Sequence, residues 1–580
     1  MTSSDVEALK YVEQRAYSSR TISLLKNAGG RYVNWPVVYV LDNGSQVYVG
    51  ESGNVASRME QHLLSKKHLR RLKIVLHDRF NKSACLDLES RLIQLFAGEG
   101  QMKVVNGNKG VVDPNYFDRP AYRKDFDAVF EELRSLGLFR RSIPQIENGE
   151  LFKYSPFKAL NEDQALVVDK IAKGLIDDLP AGASTSTVIQ GAAGTGKTIV
   201  AVFLLKLLRD VADADPDDPV DEDTRFADLL TAEHIDVLQG RNLGLVVPQQ
   251  SLRKTLRRVF AKTPGLAKEM VLSPFDVGVS DTMYDLLVVD EAHRLGRRFG
   301  QSSAPANSRF REITVKLFGR DDYSKTQLDW IRARSRHQVF LLDSRQTVRP
   351  SDLPVKAQMG IVDTADFSFQ LRSQMRVRAG SDYVGYVQNV LAGVASSPES
   401  FGEYDLRFFD DLGEMYEQIQ ERDAESGLAR LVAGFAWPWP TKGRKDPNVF
   451  HIEIDGLRLA WNRSEEDWIN SKGSLHEVGS IHTVQGYDLN YAGVIIGPDL
   501  RLNPESGAIV VSPEHYRDGK GKQGSPKFGV ARPTEQELAT LIKNIYAVLL
   551  TRGIRGTYVY VCDPALREKL RPYFSVGEEP

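Results

Sequence analysis

The stretch GAAGTGKT, Gly191 to Thr198, constrains this chain more than any other. The apolar run STVIQ leads into it and the helical TIVAVFLLKLLRDV leads out, so a strand, a glycine-rich turn and a helix follow in order. In that setting glycines let backbone N–H groups approach a polyphosphate, Lys197 sets a cation on its outer oxygens, and Thr198 offers a hydroxyl to magnesium. Gly191, Gly194, Gly196, Lys197 and Thr198 are therefore candidate binding residues, and ATP with Mg2+ the implied cofactors. Downstream, YDLLVVDEAH ends a second apolar run on adjacent carboxylates. Asp290 suits the magnesium shell, and Glu291 the polarising of an attacking water.

At 580 residues the chain exceeds what one hydrophobic core serves, and about three or four compact units are expected. Hydrophobic residues at 42% and charged residues at 26% exclude a mainly disordered chain. A formal net charge of −2 excludes global attraction to nucleic acid, so any such binding falls to local clusters of Lys and Arg. Cys85 and Cys562 make neither a zinc site nor a disulfide framework unaided, which fits a reducing cytoplasm. The N-terminal segment lacks the apolar stretch of a secretory signal, and no run has membrane-spanning length, so no membrane partner is expected.

From Thr187 onward, strand-like runs alternate with helical spacing: STVIQ, NLGLVVP, YDLLVVD, HQVFLLD, RLVAGFAW, YAGVIIG and GTYVYVCD. This pattern predicts an α/β chain of parallel sheets covered by helices. Upstream, VVYVLDNGSQVYVGES, Val37 to Ser52, reads as two strands about the turn DNGSQ. Helical spacing follows through SRMEQHLLSKKHLRRLKIVL and ACLDLESRLIQLFAG. Pro, Gly and polar residues gather around Ile143 to Pro156 and mark a border. The expected organisation is a helical lead over 1–30, a small α/β domain over 31–142 and a linker over 143–156, then two parallel-sheet domains over 157–355 and 356–575. Acidic DADPDDPVDEDT, Asp213 to Thr224, and polar RDGKGKQGSPK, Arg517 to Lys527, read as surface insertions.

Motif order makes a resemblance specific: the chain resembles superfamily 1 helicases of the UvrD-like kind over about two thirds of its length. By that resemblance LNEDQ supplies Gln164 as the adenine reader, and LVVPQQSLRKTLRRVF stands at motif Ia. FLLDSRQTVRP supplies Gln346 as a γ-phosphate sensor, and FQLRSQMRV supplies Arg376 as an arginine finger. SIHTVQGYDLN stands at motif V, and YAVLLTRGIRG supplies Arg552 as a second finger. The implied fold is a pair of RecA-like domains closing on one nucleotide. AGFAWPW, EVGSIHTVQGYDL and LLTRGIRGTYVYV are similar to a bacterial helicase-like group related to the motor-like part of Schlafen proteins. Motif V departs from the helicase pattern in carrying Gln485 and Asp488 where Lys and Glu are usual, so hydrolysis is expected and processive unwinding is not.

The tyrosine hairpin resembles the two-strand signature of GIY-YIG nucleases, with VVY in the first slot and VYVG in the second. NVASRMEQHL then places Arg58 and His62 four residues apart on one helix face. LDLESRLIQLF supplies Glu89, and VVNGNKG supplies Asn106. The resemblance implies that Glu89 ligates one Mg2+, with Mn2+ an alternative, that Arg58 holds the scissile phosphate, and that Tyr39 positions or deprotonates water. Tyr48 and His62 would contact phosphate or move a proton. One protein carboxylate suffices for magnesium, which keeps several waters and borrows substrate oxygens.

Basic residues recur in KKHLRRLK, Lys66 to Lys73, and in LRKTLRRVF, Leu252 to Phe260, beside the two candidate sites. Trp437 and Trp439 read as core or a Pro-braced turn in preference to a base-stacking platform. The expectation is an ATP-dependent motor fused to a metal-dependent endonuclease, acting on DNA in preference to RNA, single-stranded at the motor, in defence against foreign DNA such as phage. The alternatives are an RNA-directed nuclease and helicase, or an ATP-dependent DNA-binding switch with an inactive nuclease domain.

Overall fold

The computed structural model describes residues 11–107, 116–215, 225–301, 303–343, 351–374, 377, 383–439, 449–464, 468–471, 473–484, 487–528 and 530–574. In its N-terminal part, strands β1 (Val12–Ala16), β2 (Val37–Asp42), β3 (Gln46–Ser52), β4 (Arg71–Val75) and β5 (Lys103–Val104) form one sheet in the order β1-β4-β2-β3-β5. Helices α1 (Ser19–Ala28), α2 (Val55–Ser65), α3 (Lys82–Glu99) and α4 (Arg119–Ser135) cover it. Successive side chains of a strand point to opposite faces. Tyr39, Leu41 and Tyr48 accordingly pack with Leu25 of α1 and Met59 of α2, whereas Val38, Val40 and Val49 pack with Leu88 and Leu92 of α3. Both tyrosines of the hairpin thus lie on the α1–α2 side.

Three expectations change here. The helical lead contains a strand, since β1 pairs antiparallel with β4. The long helical reading after the hairpin breaks after Ser65, and RLKIV becomes β4, because Leu72 and Ile74 alternate with Lys73 and Val75 between the two cores. The stretch 143–156 folds as α5 (Ile143–Glu147) and α6 (Glu150–Lys153), and its Ile146 and Phe152 lie in the same core as α3. Glu150 also accepts the Thr255 hydroxyl at 2.7 Å and pairs with Arg258. Contacts divide the chain into two compact units, Met1–Pro180 with Val202–Gly240 and Thr255–Met270, and Ala181–Ala201 with Arg241–Lys254 and Val271–Pro580, so no division falls at 143–156.

Strands β6 (Ser186–Gly191), β7 (Leu243–Val246), β8 (Val271–Leu272), β9 (Tyr284–Val289), β10 (Ser335–Leu342) and β11 (Phe367–Leu371) form a second sheet in the order β11-β6-β10-β9-β7-β8. Every pairing in it is parallel. Its interior strands are buried along most of their length, the mark of a parallel sheet covered on both faces. The sheet extends past the expected border at 355, because β11 joins its edge.

A third sheet holds β12 (Asp405–Phe408), β13 (Ala429–Ala433), β14 (Ile452–Ile454), β15 (Leu457–Trp461), β16 (Glu477–Ser480), β17 (Leu489–Ile496) and, from the end of the chain, Gly553–Val561. Its pairings are parallel except the β14–β15 hairpin. The α/β expectation of parallel sheets with helical cover holds. Trp437 and Trp439 pack against the core that contains Trp461, as the core reading expects. Residues 216–224 of the acidic segment lie outside the described residues.

One ion cluster pins the N-terminal sheet. Asp42, fully buried at the end of β2, pairs with Lys73 and with Arg71, which lies directly across in β4. Burial lowers the Lys73 ammonium pKa from its ordinary value, and Asp42 opposes that shift. Removing one partner of a buried pair leaves an uncompensated charge costing about 3–5 kcal/mol. Asp42→Ala is expected to reduce hydrogen-exchange protection of the β2 and β4 amides by an amount in that range, and adding Lys73→Met to recover most of it.

Candidate nucleotide and phosphodiester sites

Parallel strands deliver their carboxyl ends to one edge of a sheet, where ligands of such sheets bind. The second sheet uses three adjacent strands in this way: Gly191 ends β6, Asp343 follows β10 and Asp290 follows β9. Gly194 and Gly196 take φ of 84° and 79°, the left-handed region that glycine enters without strain. At Gly191 a Cβ would meet the Thr195 Oγ1 at 2.5 Å, so the turn needs a glycine there as well. The loop then enters α7 (Lys197–Ala212). Lys197 donates to the carbonyls of Gly191 and Ala192 at 2.7 and 3.0 Å and lies 3.8 Å from Asp343. The Thr198 hydroxyl donates to Asp290 at 2.7 Å.

The acidic pair is differentiated. Burial, then the neighbouring Glu291, holds the Asp290 carboxyl up to about 6. Burial works to raise Glu291 too, but His293 at 3.0 Å, with Lys197 and Arg294, holds it well below the usual carboxylate range. Glu291 also takes φ of 49°, an uncommon conformation for a non-glycine residue and one that clusters at functional sites. His293, Asp343 and Gln374, whose amide donates to the Ala193 carbonyl at 2.7 Å, were not among the candidates. The first two end the quoted runs DEAH and FLLD, so their signal was in the sequence; Gln374 is found only by its contact.

The remaining helicase-like candidates divide. Gln164 is buried in a reciprocal pair with Asn161: its amide carbonyl accepts the Asn161 N–H and its own N–H donates to the Asn161 side chain. Arg552 is buried and donates to the Tyr487 carbonyl at 3.3 Å. The Leu489 N–H donates to the Arg552 carbonyl, so the motif V-like segment, with Asp488, and the motif VI-like segment meet through neighbouring strands. Gln346, Arg376 and Gln485 lie outside the described residues.

In the N-terminal unit the tyrosine hairpin faces α2. The Tyr39 hydroxyl and His62 Nε2 are 2.8 Å apart, and the Tyr48 ring lies 5.1 Å from the imidazole and 6.2 Å from Tyr39. Gly50 lies directly opposite Tyr39, and a Cβ there would fall 2.3 Å from the phenol oxygen, so the second glycine of the hairpin makes room for the first tyrosine. Burial, then Tyr48 and Glu89, push the Tyr39 hydroxyl well above its ordinary pKa, while Arg58 opposes them through charge and a hydrogen bond. Tyr39, Tyr48 and His62 thus come together with Arg58 beside the Tyr39 hydroxyl, and Glu89, buried on α3, lies within electrostatic reach of that hydroxyl. Burial keeps Tyr39 a neutral phenol at neutral pH, suited to hydrogen bonding and not to acting as a phenolate.

Asn106 differs from the other candidates. Its carbonyl accepts the Val49 N–H at 3.0 Å and its amide donates to the Val49 carbonyl at 2.7 Å. It continues the β3–β5 ladder with a side chain and positions the strand that carries Tyr48 and Gly50. Cys85, one turn ahead of Glu89, feels both Glu51 and Glu89, so a second carboxylate borders this region. Among the described residues no three His, Cys, Asp or Glu side chains converge as a metal cluster. Glu89 is a single buried carboxylate, a donor that magnesium accepts together with water and substrate oxygens.

The basic runs are redistributed by the fold. Arg71 and Lys73 serve Asp42, Leu69 and Leu72 are core, and Lys66 alone of that run stands at the tyrosine pair, 4.5 Å over the Tyr48 ring. In the motif Ia-like helix, Arg258 pairs with Glu150 and Arg253 donates to the Val247 carbonyl at 2.7 Å.

Comparison with known proteins matches residues 184–563 to the family described as Schlafen group 3, DNA/RNA helicase domain. An uncharacterized protein of Saccharomyces cerevisiae, YPL245W, is 27% identical over 416 residues, covering 66% of this chain and 83% of its own. Among solved structures, the Arterivirus nonstructural protein 10 helicase has 14% identity and a TM-score of 0.27, covering 67% of this chain and 61% of its own. The Pif1 helicase from Candida albicans has 11% identity and a TM-score of 0.24, covering 72% and 96%. The family match takes in the strands of both parallel sheets and more than half of the sequence, and the chain belongs to the Schlafen group 3 family of DNA/RNA helicase domains.

Proposed function

We propose that the chain is an ATP-dependent nucleic-acid motor joined to a magnesium-dependent endonuclease of the GIY-YIG kind. The observation that carries the motor half is the convergence of Lys197, Thr198, Asp290, Glu291 and Asp343 at the carboxyl ends of three adjacent parallel strands. Lys197 would hold the outer phosphates, Thr198 and Asp290 magnesium, and Glu291, beside His293, would orient the attacking water; the Thr198–Asp290 and Glu291–His293 contacts support this reading. Arg552, and Arg376 outside the described residues, are the arginines proposed to meet developing charge, with Gln346 as sensor and Gln164 as base reader.

The nuclease half rests on the assembly of Tyr39, Tyr48, Arg58, His62 and Glu89. Glu89 would hold the metal, which when bound supplies charge neutralisation at the phosphate and a more acidic water. Arg58 binds the scissile phosphate, Tyr39 orients the water by hydrogen bonding, and His62 receives or returns a proton at Nε2. Two substrate chemistries fit a guanidinium and phenols around a phosphate, and DNA is the proposed one. A motor that brings strands to a cutter suits defence against foreign DNA in a cytoplasmic setting.

Lys197→Ala is expected to reduce ATP turnover at least a hundredfold while leaving the circular dichroism spectrum unchanged; turnover near that of the parent would remove the nucleotide-site assignment. Glu89→Gln is expected to abolish magnesium-dependent cleavage of labelled oligonucleotides and to retain ATP hydrolysis. Matched DNA and RNA strands run side by side decide the substrate, and cutting of RNA alone would overturn the DNA assignment.

A further inference from the structure

Helix α2 carries Arg58, His62 and Lys66 at intervals of four residues, the last as its C-cap, where the Lys66 N–H donates to the His62 carbonyl at 2.8 Å. Each four-residue step turns the helix by about 40° beyond a full turn, so the three side chains run along one face over about 12 Å of axis. That face looks onto the hairpin. Arg58 reaches the Tyr39 hydroxyl, His62 lies 2.8 Å from the same hydroxyl, and the Lys66 ammonium stands 4.5 Å over the Tyr48 ring. A cation, an imidazole and a second cation thus follow in a row above two phenols.

We propose that Lys66 is a further substrate-binding residue of this site, holding the phosphate adjacent to the scissile one on the bound strand. The assignment rests on the nuclease reading above and extends it. Arg58 at the Tyr39 hydroxyl and Lys66 over the Tyr48 ring stand at different phenols whose rings are 6.2 Å apart, so each can meet a different phosphate of one strand. An ammonium is a compact point charge with three donors, able to follow a flanking phosphate whose orientation varies, whereas the planar Arg58 fork suits the phosphate whose geometry must be held. The face of Tyr48 fixes where the ammonium stands, by attraction between cation and ring. Lys66 stays partly exposed, so a polynucleotide can reach it.

The test measures magnesium-dependent cleavage of a labelled DNA oligonucleotide by the full chain between 50 and 200 mM KCl, on the order of the range over which phosphate contacts are titrated by salt. Losing one phosphate contact lowers the slope of log(kcat/KM) against log salt by about 0.7–0.9. Lys66→Gln is expected to show that lower slope and a raised KM, with kcat within about twofold of the parent, and Lys66→Arg to restore the parent slope. ATP turnover equal to the parent's serves as the check that each variant folds. A Lys66→Gln slope and KM equal to the parent's would overturn the assignment alone, as would a loss confined to kcat, which a mere prop for Tyr48 would give. A parent chain that does not cleave at all would sink the nuclease reading and Lys66 with it.

Discussion

The hydrogen bond from the Thr198 hydroxyl to Asp290 ties the turn after β6 to the end of β9 across the intervening β10. It exists because every strand of that sheet runs the same way, so helical crossovers return each chain end to the same edge. Lys197 and Asp343 join the same edge from the flanking elements. Charges of both signs then sit within a few ångströms of one another in a largely buried setting. Their pairing, more than any single motif, keeps such an edge from being an unsatisfied polar hole. The unusual φ of Glu291 is a local cost of shaping it, and Gly194 and Gly196 take their left-handed conformations without strain.

The N-terminal site is assembled on a different plan. Its groups come from the face of an antiparallel hairpin and from two helices, and strand alternation decides which side each phenol takes. Gly50 and Asn106 are the hidden parts of that plan. The first yields space to the Tyr39 ring and the second extends a ladder that β5 is too short to complete. Neither needs to touch a substrate to matter. A raised Tyr39 pKa follows from this packing, and the phenol keeps its proton while it lies against His62.

A chain with almost no net charge attracts polynucleotides only where local cations escape internal pairing. Much of its basic sequence does not escape. Arg71, Lys73 and Arg258 are held by Asp42 and Glu150, and Arg253 caps carbonyls at its own helix start. Surface charge read from runs of letters therefore overstates the binding area. Arg58 and Lys66 stand beside phenols.

The parallel sheets, the glycine-rich turn between strand and helix and the position of the acidic pair at a strand end were legible in the sequence because apolar run, turn and helix are local patterns with fixed periods. So were the tyrosines and the four-residue step from Arg58 to His62, which need only strand and helix geometry. The helix-like reading of RLKIVL failed because a short apolar run carries both periods, and only pairing with β1 and β2 selects the strand. The stretch at 143–156 looked like a linker because composition cannot show that Ile146 and Phe152 find a core on α3. Likewise the joining of Glu89 to the hairpin, the clip made by Asn106 and the removal of Lys73 into an ion cluster depend on contacts between segments distant in the chain. Local chemistry writes itself in adjacent residues; which charges meet is decided by burial, and burial is a property of the folded whole.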